Sequence, residues 1–147
     1  MHVLLIQDDE IDLYATLQKS ETSRAILKFY RPDRLEYGVR IRMASLGSAL
    51  SLISELRWYM RRYVKEVLFE VSHPIYCTQA LAGQFYERDV KIESSWDFRK
   101  IYAFRGGELA YSTRIQDGIA GEDYRGRYEP ADTVLEVWCT EEEFLDS

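Results

Sequence analysis

The spacing of apolar and polar positions divides the chain into segments of different period. The opening run Val3–Leu4–Leu5–Ile6 is continuously apolar and ends in Asp8, Asp9 and Glu10, as a buried strand with an acidic tip would. Residues 11–17 fit two patterns. Ile11, Leu13, Ala15 and Leu17 alternate as in a strand, but Asp8 or Asp9 is also placed to cap a helix. Residues 25–30 and 36–43 read as extended runs around a Pro32–Asp33 turn. In the second run Val39, Ile41 and Met43 share one side, and Arg40 and Arg42 the other.

The longest periodic signal starts at Ser45, a good N-cap residue. Leu46, Ala49, Leu50, Ile53, Leu56, Met60, Tyr63, Val64 and Val67 then recur at three- and four-residue spacing. The pattern predicts one amphipathic helix over residues 45–67, roughly 30 Å long. Its opposite face carries Glu55, Arg57, Trp58, Arg61, Arg62 and Lys65. The helix should stop before Glu70, since acids are disfavoured at a helix C-terminus. Ser72–His73–Pro74 breaks it. A short helix is expected across Ala80–Ala82, although Ile75 and Tyr76 would suit a strand.

From residue 86 the pattern turns to β. Residues 86–93 alternate, and 98–116 read as a hairpin turning at Gly106–Gly107. That register sets Arg105 opposite Glu108, Phe104 opposite Leu109, Tyr102 opposite Tyr111 and Phe98 opposite Ile115. It also sets Arg99 opposite Arg114, a like-charged pair that is unfavourable without an anion between them. Glu136, on the final strand at 133–139, is the candidate partner for an Arg99–Arg114–Glu136 cluster; otherwise both arginines splay into water. Residues 116–132, rich in Gly and acids, read as a long loop. Thr140 and Glu143 are spaced as a capping box for a short terminal helix. The elements combine into an α+β fold in one globular domain, 1–147. The long helix packs on an antiparallel sheet containing the C-terminal hairpin and the final strand.

Composition supports a globular chain: 46% of the 147 residues are hydrophobic and 30% charged, which excludes a disordered protein. The chain is rich in tyrosine, with 11, a residue that serves both cores and interfaces. The net charge of −6 is unevenly laid out. Residues 117–147 hold ten acids against two bases, whereas residues 34–66 hold seven bases against three acids. Either the two regions face each other or each faces a partner. No apolar stretch is long enough to span a bilayer, and no signal peptide is read at the N-terminus. Cys77 and Cys139 sit among apolar neighbours and are expected as buried free thiols, with a disulfide as the alternative. A cytoplasmic protein without membrane contact is the expectation.

The segment HVLLIQDDE resembles, over residues 2–10, the first strand and acidic pocket of a response-regulator receiver domain. That resemblance implies a phospho-accepting Asp at the end of a later strand. Residues 34–88 contain no Asp, and no strand–helix alternation follows, so the acids are read as turn residues or a helix cap. His73 and Cys77 have helix-compatible ligand spacing, but zinc needs three or four ligands, and no metal site or cofactor is assigned. Residues 117–123 resemble a calcium loop only superficially, without the alternating oxygen ligands. His73 could act with Cys77 or Cys139 only if the fold brings them together. No catalytic residue is assigned.

Binding is the remaining class. Arg57, Arg61 and Lys65 would form a row on the helix, with Trp58 and Arg62 beside them, and such a row suits phosphates and base stacking. The acidic total and the absence of a nucleic-acid motif favour protein instead. Tyr, Trp and Arg are the residue types that anchor protein interfaces. The sequence therefore points to a small protein-binding module that acts on another protein or on itself. Arg57, Trp58, Arg61, Arg62 and Lys65 form its interface, nucleic acid is the alternative ligand, and a tertiary Cys/His enzyme site ranks third.

Overall fold

A computed structural model describes residues 1–87, 96–115 and 131–146. In chain order the elements are β1 (His2–Gln7), α1 (Leu13–Lys19), α2 (Glu21–Leu27), β2 (Asp33–Leu35) and β3 (Gly38–Arg42). They continue with α3 (Leu46–Glu55), α4 (Arg57–Tyr63), β4 (Val64–Ser72), β5 (Ile75–Thr78) and α5 (Gln79–Tyr86). Last come β6 (Arg99–Arg105), β7 (Glu108–Arg114), β8 (Thr133–Trp138) and α6 (Glu141–Leu145). The fold is a mixed α+β arrangement in which one eight-stranded sheet has the order β2-β3-β1-β4-β5-β8-β6-β7. Every neighbouring pair is antiparallel except β5 and β8, which run parallel.

β1 is continuously apolar because both of its faces are buried. Val3 and Leu5 join a core with residues from α1 through α5, whereas Leu4 and Ile6 join a second core on the other side. Among the described residues that second core is supplied by strands and their turns, and the sheet curls over it. Tyr37, in the β2–β3 turn, stacks on Phe104 of β6 with ring centroids 4.1 Å apart. Five strand spacings separate β3 from β6 in the sheet order, roughly 24 Å in a flat sheet. The contact is possible only because the two ends of the sheet bend towards each other. Gln7 Nε2 reinforces the closure by donating to the Glu36 and Gly107 carbonyls at 3.2 and 3.4 Å.

The single helix over 45–67 is corrected by two short helices and a strand. Ser45 does cap α3, accepting from the Ser48 amide, but the helix is interrupted at Leu56 (ψ 10°) and α4 ends at Tyr63. Residues 64–72 form the central strand β4. The reason is burial on two faces: Val67 and Phe69 enter the helix-side core while Leu68 enters the other, which one helical stripe cannot do. Val64 and Val67 match a helical spacing, so the sequence pattern runs on into the strand.

Other boundaries differ as well. Residues 13–19 are helical, and the cap is Asp12, whose side chain accepts from the Ala15 amide, not Asp8 or Asp9. The run 25–30 is not extended, because its first half belongs to α2 and residues 28–30 form a turn, and the turn of the β2–β3 hairpin lies at Glu36–Tyr37, not Pro32–Asp33. Val39, Ile41 and Met43 are buried together as expected. Past Ser72 the chain forms the β4–β5 turn, then strand β5, then helix α5, so both patterns read there are used in succession. The alternating run at 86–93 is not a strand at its start, because Tyr86 ends α5 and Glu87 is its C-cap; 88–93, and residues 116–130 of the loop read at 116–132 with its calcium-like segment, lie outside the described residues.

The β6–β7 hairpin turns at Gly106 and Gly107, both with positive φ (62° and 81°). Arg105 faces Glu108 and Phe104 faces Leu109. A bulge then shifts the register, so Ala103 faces Tyr111, Tyr102 faces Ser112 and Lys100 faces Arg114. The expected Tyr102–Tyr111, Phe98–Ile115 and Arg99–Arg114 pairings are therefore each one residue out of step.

Candidate functional site

Trp58 sits in the first turn of α4 and is 51% exposed. Its ring is fixed rather than loose. The Arg62 guanidinium lies over it at 3.8 Å from the centroid, and Arg62 Nη1 donates to the Trp58 carbonyl at 3.1 Å. Tyr59 and Tyr63 meet the indole edge-on, at 4.9 and 6.2 Å.

These aromatics form one wall of a groove of about 700 Å3. The other wall comes from the α1–α2 corner, through Ser20, Thr22 and Ile26. That corner is held by buried Ser23, whose hydroxyl donates to the Leu17 carbonyl at 2.6 Å. Ser20 Oγ and the Tyr59 hydroxyl lie 2.6 Å apart and tie the two walls together, and this hydrogen bond holds the Tyr59 phenol below its ordinary value. Lys19 and Glu55 also line the groove, and Arg57 and Arg61 stand exposed on the same short helix as Trp58.

Lys65 does not join them. It lies on β4, and its Nζ contacts Asp9 Oδ1 at 2.6 Å, so the row Arg57–Arg61–Lys65 is cut to its first two members. The ion pairs of the basic region run back to the N-terminal acids: Lys65 to Asp9, Arg34 to Asp12 and Arg40 to Asp33. Asp9 and Asp12 therefore serve as pairing and capping residues.

The Arg99–Arg114–Glu136 group is split by the bulge. Arg99 Nη1 lies 3.8 Å from Glu136 Oε2, and the same carboxylate accepts from Trp138 Nε1 at 2.7 Å. Arg114 turns instead to α6, donating to the Leu145 carbonyl at 3.0 Å and lying over the Phe144 ring.

Both cysteines are free and buried, and burial pushes the Cys77 thiol up to about 12 and the Cys139 thiol up to about 11. Such thiols are poor nucleophiles at neutral pH. The His73 ring contacts Tyr76 rather than a cysteine. Among the described residues no three His, Cys, Asp or Glu side chains converge to hold a metal ion, and no helix is long and apolar enough to cross a membrane.

Two features carry no mark in the sequence reading. Tyr102 reaches across the inside of the curled sheet to donate to both oxygens of Glu66, at 2.7 and 2.8 Å. Arg24, Lys28 and Arg31 gather at a second cleft beside α2. Their spacing, four residues and then three, is helical and would have shown them on one face had 25–30 been read as helix.

A family model described as a family of unknown function, DUF5804, matches residues 1–104. The chain belongs to DUF5804. The matched stretch contains every residue that lines the Trp58 groove, whereas β7 and β8 lie beyond it. No curated protein and no solved structure matches the chain.

Proposed function

We propose that the protein is a small cytoplasmic binding module, an adaptor, inhibitor or assembly subunit without catalytic activity of its own. It captures a segment of another protein in the Trp58 groove. The supporting observation is Trp58 itself: a half-exposed indole, immobilised by Arg62, at the edge of a groove large enough for a bulky side chain. A rigid aromatic beside a concave surface is the usual anchor of a protein interface. The charge around it defines the partner's chemistry. Lys19 and Glu55 line the groove, and Arg57, Arg61 and Arg62 stand exposed on the helix that carries Trp58, so the fitting segment carries an apolar side chain flanked by acids.

Nucleic acid is less favoured because Arg62 covers the indole face on which a base would stack and Asp9 engages Lys65. The test is a tagged pull-down from source lysate, with and without nuclease, using the native chain and Trp58→Ala in parallel. Expected is one stoichiometric protein that survives nuclease, is lost with Trp58→Ala, and contacts the groove through an acidic segment on cross-linking. Capture that ignores Trp58→Ala, nucleic acid alone, or recovery of only a second copy of the chain would each overturn this reading.

A further inference from the structure

On the far side of α2 from the Trp58 groove lies a cleft of about 660 Å3, bounded by Tyr14 and Gln18 of α1 and by the chain leaving α2. Three cations, Arg24, Lys28 and Arg31, line it against one acid, Glu21. None of the three forms an ion pair with another described residue. In a chain of net charge −6 this is a local reversal of sign, concentrated in a concavity.

The backbone is unusual at the same place. Arg31 has φ +47°, a left-handed conformation that few non-glycine residues adopt, and it immediately precedes Pro32, which favours an extended residue before it. Strain held at a residue whose side chain lines a cleft is typical of binding sites. The wall opposite is fixed too: the Arg34 guanidinium covers the Tyr14 ring at 4.9 Å and is itself held by Asp12 at 2.9 Å.

We propose that this cleft is an anion site that takes the phosphate or pyrophosphate group of a small phosphorylated ligand, held by Arg24, Lys28 and Arg31. Two guanidinium forks and an ammonium match phosphate oxygens in geometry and charge. The volume falls in the range of small-molecule sites and exceeds what a bare phosphate fills, so the ligand's remainder lies along Tyr14 and Pro32.

The experiment is calorimetric titration of the full chain with sodium pyrophosphate at physiological ionic strength. One saturable site is expected, weakened about tenfold or more in the Arg24→Gln/Lys28→Gln double variant. A control double variant, Arg42→Gln/Arg105→Gln, removes the same charge from two exposed positions away from the cleft and should bind as the native chain does. Arg31→Gly provides a second route, because glycine takes the positive φ without strain while the side chain and its charge are lost; binding should weaken again. Amide shifts on titration should map to residues 14–32. No saturable binding, an equal loss in the control, or shifts elsewhere would overturn the proposal.

Discussion

A Cβ built on Gly38 would fall inside the van der Waals envelope of the Leu5 carbonyl oxygen, because Gly38 pairs with Ile6 and lies against the β1 backbone. The obstacle is backbone in the middle of the sheet and cannot swing aside. Gly38→Ala should therefore cost about 3 kcal/mol or more, read as a fall in the urea midpoint with little change in slope. Trp58 is the opposite case. Half of its surface already faces water, so Trp58→Ala should lower stability by no more than about 1 kcal/mol, mostly through its packing with Arg62 and Tyr59. A thermal melt of that variant separates a binding residue from a folding residue. A large drop in Tm would mean that Trp58 holds the fold and would remove the basis for reading it as an anchor.

Helix α6 shows what local chemistry writes plainly into a sequence. Thr140 and Glu143 form the capping box that their spacing announces, and Glu143 does a second task that it does not announce. Its Oε1 accepts from the Thr140 amide at 3.0 Å and from Thr78 Oγ1 at 2.7 Å, so one carboxylate caps α6 and docks it on the start of α5. Glu143→Ala should cost about 1–2 kcal/mol and speed hydrogen exchange of the 143–146 amides first. The Ser45 cap and the Gly106–Gly107 turn were legible for the same reason: each depends on neighbours within three or four residues. The end of α4 was not, because Val64 and Val67 fit a helical stripe as well as a strand, and only the place of β4 between β1 and β5 decides between them. Trp58 and the arginines beside it could be found as the outward face of a helix. The facing wall of Ser20, Thr22 and Ile26 could not, since it comes from residues more than thirty positions away along the chain.

The curl of the sheet makes one buried ionisation matter to the molecule as a unit. Tyr102 on β6 and Glu66 on β4 have β5 and β8 between them in the sheet order, roughly 14 Å if flat, yet they meet at hydrogen-bond distance inside the curve. Burial raises the Glu66 carboxyl above its ordinary value; the Tyr102 hydrogen bond lowers it, Glu143 raises it and Lys100 lowers it, each by less. A carboxyl with a raised folded pKa favours the fold in its protonated form. Its contribution is therefore present at low pH, declines as pH rises from the unfolded carboxylate value, and is gone above the folded value. Glu66→Gln keeps an acceptor for Tyr102 without the buried charge, so it should stabilise the protein at pH 7, with the gain shrinking towards pH 4. Tyr102→Phe leaves the carboxylate buried without its donor and should cost about 1–3 kcal/mol at pH 7, and less where Glu66 is protonated. Denaturant titrations of the native chain, the two single variants and the double variant across pH 4–8 would measure this coupling. If the two substitutions were additive at every pH, the Tyr102–Glu66 contact would not be what holds the curled sheet closed, and among the described residues closure would rest on the inner apolar core, the Tyr37–Phe104 stack and the Gln7 bridge.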